Sequence, residues 1–185
     1  MQVLKAQEET DVQRCWTFLS LAFNMCQSIG LHRRSTLEKD EYAIAEAKRH
    51  AFWALYTIDK NISLNIGVTS HFQDHDIDAD LYTPSNDPKH RPWDLMGLVI
   101  VEFANVQGRV YDQLYSTSAC RAGDEQRSAS IERLSSDLMT VRDKLLAVRL
   151  SPVEVVKLAD GFTRLMLVGV FMPTPYMGWQ RVQTL

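Results

Sequence analysis

The stretch from Lys48 to Asp78 constrains the fold most strongly, because it joins an amphipathic helix pattern to a helix stop and an acidic loop. Its apolar side chains recur at helical spacing and predict one buried stripe: Phe52, Leu55, Tyr56, Ile62 and Ile66. Gly67 predicts the end of this helix, since glycine takes a left-handed C-terminal cap at the least cost. The stretch therefore predicts a long core helix followed by a loop.

Asp59 lies on the apolar stripe, where a carboxylate is costly unless it is paired or accepts hydrogen bonds. We interpret it as a buried acceptor that either binds backbone amides of the loop around residues 70–78 or pairs with a basic residue such as Arg49. The alternative is a catalytic carboxylate in a cleft, with a pKa shifted by burial. No partner base is evident beside Asp59, and this favours the structural interpretation.

Similar periodicity predicts helices before this stretch. Residues 11–29 form the first helix, which a glycine ends. A capping box of Ser35 and Glu38 starts the second helix, which continues through the central stretch with a bend near residues 45–47.

Three more helices are predicted after the acidic loop. Pro92 opens the third helix and Asp124 caps the fourth. Apolar residues of the fourth helix alternate at three and four and predict a seam that packs on the third: Ile131, Leu134, Leu138, Val141, Leu145 and Val148. Ser151 and Pro152 start a fifth helix. The sequence therefore predicts an all-α fold, a single irregular helical bundle of about five helices.

The length of 185 residues fits one domain, and a hydrophobic content of 45% supports a core. We divide the chain into a polar lead-in at 1–10, a helical domain at 11–172 and an irregular tail at 173–185. The stretch 165–180 has no charged residue, which suggests a chain end altered by truncation or by an incorrect exon boundary. A net charge of -3 gives no basic footprint for nucleic acid. No apolar run approaches the roughly 20 residues of a membrane span.

The acidic loop, residues 71–80, is rich in carboxylates and histidines and could be interpreted as a metal site, but its pattern does not support that interpretation. Carboxylates alternate along it as in a calcium loop, but Ala79 and Ser85 stand where that loop needs glycine and glutamate. His71, Asp74 and His75 are faintly similar to an inverted zinc-protease motif, which requires glutamate and a helix. We therefore predict no metal site and no catalytic residue.

Without a metal site, we interpret this loop as a solvated segment with Ile77 and Leu81 turned inward. The three cysteines, Cys15, Cys26 and Cys120, are far apart in the sequence and are predicted to be reduced and buried.

Several short motifs follow one another in an order typical of a known family. They are Lys48-Arg49-His50, Phe52-Trp53, Leu55-Tyr56, Asp59-Lys60, Gly67-Val68-Thr69 and Asp76-Ile77-Asp78. This order resembles the fungal-specific transcription factor domain, the regulatory (middle homology) region of fungal zinc binuclear cluster transcription factors. Lys60 stands where the family has arginine, and Val68-Thr69 where it has Arg-Pro. The resemblance is best over residues 11–115.

The resemblance implies a nuclear regulatory region that controls transcription through other domains of the factor, co-regulator proteins or a small-molecule effector. In the family, a separate cluster of six cysteines holds two zinc ions and reads DNA. This chain lacks that cluster, so we expect no cofactor here and DNA contact only through the missing region. The resemblance also marks structural signature residues: Arg49, Phe52, Trp53, Tyr56, Asp59, Gly67, Asp76 and Asp78.

Two alternatives stay open at this point. In the first alternative, the chain is a generic all-α interaction module unrelated to transcription, whose aromatic helix only mimics the signature. A weaker alternative is a metal-dependent enzyme that uses His71, Asp74 and His75.

Overall fold

The computed structural model describes residues 12–148. Within them the fold is all-α, as predicted, with no strand. The five α-helices are α1 (Val12–Ser28), α2 (Arg34–Leu37), α3 (Tyr42–Ile66), α4 (Arg91–Val110) and α5 (Asp124–Ala147). The predicted lead-in, the helix predicted from Ser151 and the tail lie outside the described residues. Of the described helices, none has the length and apolar character needed to cross a membrane.

Two glycines end helices in the predicted way. Gly30 follows α1 with a φ of 70°, and Gly67 follows α3 with a φ of 71°. Both values lie in the left-handed region, which L side chains adopt at a cost. After Gly67 the amide of Val68 donates to the carbonyl of Ser63 at 3.0 Å, which closes the end of α3.

The prediction for the start of the second helix is wrong. The chain forms the four-residue α2 and then breaks at residues 38–41, instead of bending near 45–47. Ser35 lies inside α2, so the predicted capping box does not form. Leu37 is fully buried in the core, and the chain turns at once after it, with the amide of Asp40 donating to the Leu37 carbonyl at 3.2 Å. Burial of one side chain therefore outweighs the local preference for a continuous helix.

α3 is the central helix, and its buried side chains join two apolar clusters. One side packs with α1 through Ile62, Cys15 and Leu19. The other packs Phe52 and Tyr56 against the loop after α3 and against α4. The loop is thus held between α3 and its neighbours, where it can form a site.

α4 and α5 pack together through an apolar cluster made by Val99 and Val106 from α4 and Leu134 and Val141 from α5. This contact confirms the predicted pairing of these helices. A single π-helical turn, Tyr111–Tyr115, extends α4.

Two details of α5 differ from the prediction. Ile131 is 45% exposed and Leu138 is 38% exposed, so the seam is narrower than the alternation indicated. Asp124 lies in the first turn, and Gly123 holds the N-cap position without a side-chain hydrogen bond. Two of the six residues of the predicted apolar stripe are therefore exposed, whereas the other four pack in the cluster with α4.

Candidate functional site

The centre of the site is the carboxylate of Asp59, which is 0% exposed. Its Oδ2 accepts the backbone N–H of Phe72 at 2.9 Å, and its Oδ1 lies 2.8 Å from Nδ1 of His71. This is the first of the two arrangements expected for Asp59. The pairing with Arg49 does not form, because Arg49 binds Glu46 through its Nη1 at 2.8 Å. Asp59 therefore anchors the loop that follows α3.

Lys60, the next residue on α3, is 3% exposed. Its Nζ donates to the carbonyl of Phe72 at 2.7 Å and lies 3.0 Å from Asp74 Oδ1 and 3.0 Å from Ser70 Oγ. A buried ammonium is tolerated only when it is paired and hydrogen-bonded, and all three partners belong to the loop. Asp59 and Lys60 thus bind the N–H and the C=O of the same residue, Phe72.

Sequence reasoning missed the buried role of Lys60, although the resemblance places a basic residue there. It also missed His71 as the partner of Asp59. His71 Nε2 lies 2.8 Å from Ser20 Oγ on α1. The ring packs on Trp16 with a centroid distance of 4.1 Å. No spacing rule connects Ser20 to His71, since 51 positions separate them.

Ser20, His71 and Asp59 therefore form a continuous chain of hydrogen bonds that resembles a catalytic triad. The Ser20 hydroxyl donates to the carbonyl of Trp16 at 2.9 Å, within the same helix. That bond uses the proton that a nucleophilic serine gives to its histidine. The geometry favours a cross-link between α1 and α3 over an activated nucleophile.

The acidic part of the loop is bonded at each of its carboxylates. Asp76 pairs with Arg33 at 2.6 Å, and Asp78 accepts the backbone N–H of Arg34 at 2.9 Å. Asp80 pairs with the Arg34 guanidinium at 2.7 Å. These bonds join the loop to Arg33 and Arg34, which lie between α1 and α2 and at the start of α2. The loop therefore makes more contacts with the protein than the predicted solvated segment.

The two apolar residues of this loop differ from each other. Ile77 packs against the core as predicted, whereas Leu81 is 47% exposed and does not turn inward. The alternation of side chains along an extended loop places both on one side, but only Ile77 meets a cluster.

The metal-site alternative is not supported by the positions of its residues. His71 has both ring nitrogens engaged, by Asp59 and Ser20. Asp74 accepts the Tyr56 hydroxyl at 2.8 Å and Asn105 Nδ2 at 3.0 Å. Across residues 12–148 no group of three histidine, cysteine or carboxylate side chains is placed to hold a metal ion.

The aromatic signature residues form the wall between the anchored loop and α4. Phe52 and Tyr56 are buried, and Trp53 donates its Nε1–H to the carbonyl of Asp80 at 2.9 Å. Burial, reinforced by the negative charge of Asp74, holds the pKa of the Tyr56 hydroxyl far above its ordinary range. The hydroxyl therefore acts as a permanent donor to Asp74.

A cleft of about 680 Å³ opens between α3, the loop, α4 and α5. Its wall includes Trp53, Tyr56 and Val101. Arg109 of α4 crosses it to Asp137 of α5, with Nη1 2.6 Å from the carboxylate. The volume lies within the range of about 300–1,000 Å³ that ligand pockets occupy.

The chain is similar to a known family of proteins over most of its length. The family described as the fungal specific transcription factor domain matches residues 7–143. A transcriptional regulatory protein of Schizosaccharomyces pombe is 29% identical over 180 residues, covering 88% of this chain and 27% of that protein.

Other relatives have related descriptions. An ABC-transporter-regulating transcription factor of Aspergillus oryzae is 26% identical over 143 residues, covering 72% of this chain and 16% of that protein. A negative regulator of pleiotropic drug resistance of Candida glabrata is 26% identical over 128 residues, covering 66% of this chain and 13% of its own length. The chain thus spans about a quarter or less of the length of these relatives. No solved structure matches it significantly.

Proposed function

Because the chain belongs to the family of fungal specific transcription factor domains, we propose that it is the regulatory region of a fungal zinc-cluster transcription factor. It controls transcription through contacts with other domains of the factor, with co-regulator proteins or with a small effector. The observation that carries the proposal is the match over residues 7–143, which contains the whole anchored loop and the cleft. The generic interaction module loses its main support, since related regulators match the same stretch.

DNA and zinc binding belong, in this proposal, to a region outside the chain. Cys15 and Cys26 are buried, and burial raises the pKa of both thiols, which disfavours the thiolate that zinc needs. Cys120 is exposed, contrary to its predicted burial. These side chains offer no substitute for a six-cysteine cluster.

The same proposal assigns no catalytic role to the chain and places it in the nucleus. The hydrogen bonds of Asp59 support a structural use of its carboxylate, since they bind a backbone amide and a histidine of the loop. The Ser20 hydroxyl is engaged by its own helix. The partners of a regulatory region are macromolecules or effectors, and the cleft is the place where an effector of small size would fit.

The proposal is tested by joining the 185-residue chain to an unrelated DNA-binding domain and measuring a reporter gene in a fungal host. We expect reporter output to rise or fall relative to the DNA-binding domain alone, at equal protein level. The matched control is the same chain expressed without the DNA-binding domain, which should leave the reporter unchanged. Unchanged output from the tethered chain would argue against a regulatory function.

A further inference from the structure

The side of α5 that faces away from the cleft carries four exposed apolar side chains. We call this surface the α5 flank, and its members are Leu138 at 38% exposure, Ile131 at 45%, Met139 at 52% and Leu146 at 76%. At about 100° per residue they fall within roughly 100° of the helix circumference, the width of an ordinary buried stripe. Among residues 12–148, none of the three apolar clusters includes them. Four exposed apolar side chains on one face of one helix indicate a contact surface.

The sequence that directly follows α5 has the pattern of an amphipathic helix. Residues 151–166 lie outside the described part of the chain, but Ser151, Pro152 and Glu154 form a helix-start signal. Apolar residues then recur at a spacing of three and four: Val155, Leu158, Ala159, Phe162, Leu165 and Met166. The charged residues fall on the opposite side of such a helix: Lys157, Asp160 and Arg164. This segment therefore has one apolar face that needs a partner.

A short connection separates the segment from the α5 flank. α5 ends at Ala147, and residues 148–150 precede Ser151. The chain from Ala147 to Ser151 can span at most about 14 Å, so a helix that begins at Ser151 starts beside the end of α5. Connections of this length are typical of two antiparallel helices. They favour a segment that runs back along α5.

The dimensions and the free side of α5 agree with this path. The α5 flank extends about 22 Å from Ile131 to Leu146, and residues 152–166 would extend about 21 Å as a helix. One side of α5 is already occupied by α4, through Leu134 and Val141. The next side borders the cleft, which Asp137 and Thr140 line, and these two lie about 150° from the centre of the flank. The flank is therefore the side of α5 that remains for a further helix.

We propose that residues 151–166 form a helix that runs antiparallel to α5 and covers the α5 flank. Its apolar face packs on the exposed side chains of α5, and its charged face meets water. α5 then lies between α4 and this segment, so another protein reaches the flank only by displacing residues 151–166. The inference is independent of the proposed function, because it follows from the apolar surface of α5 and from the sequence after it.

Hydrogen–deuterium exchange of the 185-residue chain, read by mass spectrometry, tests whether the segment is covered. We expect the backbone amides of residues 155–166 to exchange at least about tenfold more slowly than in an unstructured peptide of the same sequence, since packed helices open less often than free chains. Exchange at the rate of the peptide would overturn the proposal.

Two variants test whether the flank is the partner of the segment. Leu138→Asp places a charge on the flank, and Phe162→Asp places one on the apolar face of the segment. Each should return the exchange of residues 155–166 to within about twofold of the peptide, because a charge buried without a partner is costly. The amides of α3 should keep their slow exchange in both variants, which shows that the domain stays folded. Slow exchange of the segment in both variants would overturn the proposal.

Met25→Asp is the matched control, since Met25 is an apolar residue of α1 that is 68% exposed. α1 packs on α3 through its own cluster, so this variant should leave the exchange of residues 155–166 unchanged. Fast exchange in Met25→Asp together with slow exchange in Leu138→Asp would place the segment on α1 and overturn the proposal.

Protein concentration separates an internal partner from a second copy of the chain. We expect the slow exchange of residues 155–166 to be the same over a hundredfold dilution, with a monomer in sedimentation at the lowest concentration. Slow exchange that disappears on dilution, together with a dimer in sedimentation, would mean that a second copy covers the flank and would overturn the proposal. None of these measurements involves transcription, so their failure is distinct from failure of the tethered reporter.

Discussion

The side chain of Lys60 fills the space that a β-carbon at Gly108 would enter, with Nζ 3.0 Å and Cδ 3.1 Å from that position. α3 and α4 approach each other here because one helix has no side chain at the contact. Gly108 also allows the ammonium of Lys60 to reach the carbonyl of Phe72. The glycine is therefore required by packing and not by backbone conformation.

Gly108→Ala should destabilise the domain although alanine favours a helix over glycine by about 1 kcal/mol. The Lys60 ammonium is held by Phe72, Ser70 and Asp74, so moving aside for the new methyl group strains these bonds. We expect a net loss on the order of 1 kcal/mol in the free energy of unfolding, as for other overpacked sites. Urea unfolding measures it, and a variant as stable as the original chain would show that Lys60 can shift freely.

Asp59→Ala should cost about 3–5 kcal/mol, the scale for removing one partner of a buried charge network. It leaves the Phe72 amide and the His71 ring without their acceptor. The matched control is Asp143→Asn, an exposed carboxylate paired with Arg142, which should change stability by less than about 0.5 kcal/mol. Thermal unfolding compares the two variants, and an unchanged midpoint for Asp59→Ala would contradict the anchoring role.

His71→Phe should cost about 1–3 kcal/mol, because it removes one donor from a buried carboxylate while keeping a ring against Trp16. Ser20→Ala removes the bond to His71 and the bond to the Trp16 carbonyl, and it should cost about 0.5–1.5 kcal/mol. Since the two residues share a hydrogen bond at 2.8 Å, the double variant should cost less than the sum of both. Strict additivity in this cycle would mean that the link between α1 and the loop contributes nothing.

Tyr56 should make the domain less stable at high pH. Its pKa is raised in the folded state by burial and by Asp74, whereas an unfolded tyrosine ionises near pH 10. Below about pH 10 both states keep the proton, and above it the unfolded chain binds fewer protons, so stability falls by about 1.4 kcal/mol per pH unit for this group. Tyr56→Phe should therefore lose less stability than the original chain between about pH 8 and pH 11. Equal losses in urea unfolding would contradict the raised pKa.

Much of this fold follows from local patterns. The stripe of α3, the two glycine stops and the pairing of α4 with α5 depend on neighbouring residues and on periodicity, so the sequence predicts them. The break after Leu37 does not follow from local patterns, because burial of that side chain decides it.

Of the residues at the centre of the candidate site, only Asp59 could be predicted from the sequence, as a buried carboxylate. The position of Asp59 on an apolar stripe signals a need for partners, but the sequence does not indicate which residues supply them. His71 reaches Asp59 only because Gly67 turns the chain, and Ser20 reaches His71 only because α1 packs beside α3. The burial of Lys60 was not predicted, because a lysine on a helix is usually solvated. Its burial depends on the absence of a side chain at Gly108.

The central claim is that the hydrogen bonds of Asp59 to the following loop keep the regulatory region folded, and that the folded region controls transcription. The most direct measurement compares the tethered chain carrying Asp59→Ala with the one carrying Asp143→Asn, at equal protein level in the reporter strain. We predict that Asp59→Ala returns reporter output to that of the DNA-binding domain alone, while Asp143→Asn keeps the full response. Full response from a tethered Asp59→Ala chain would contradict the account.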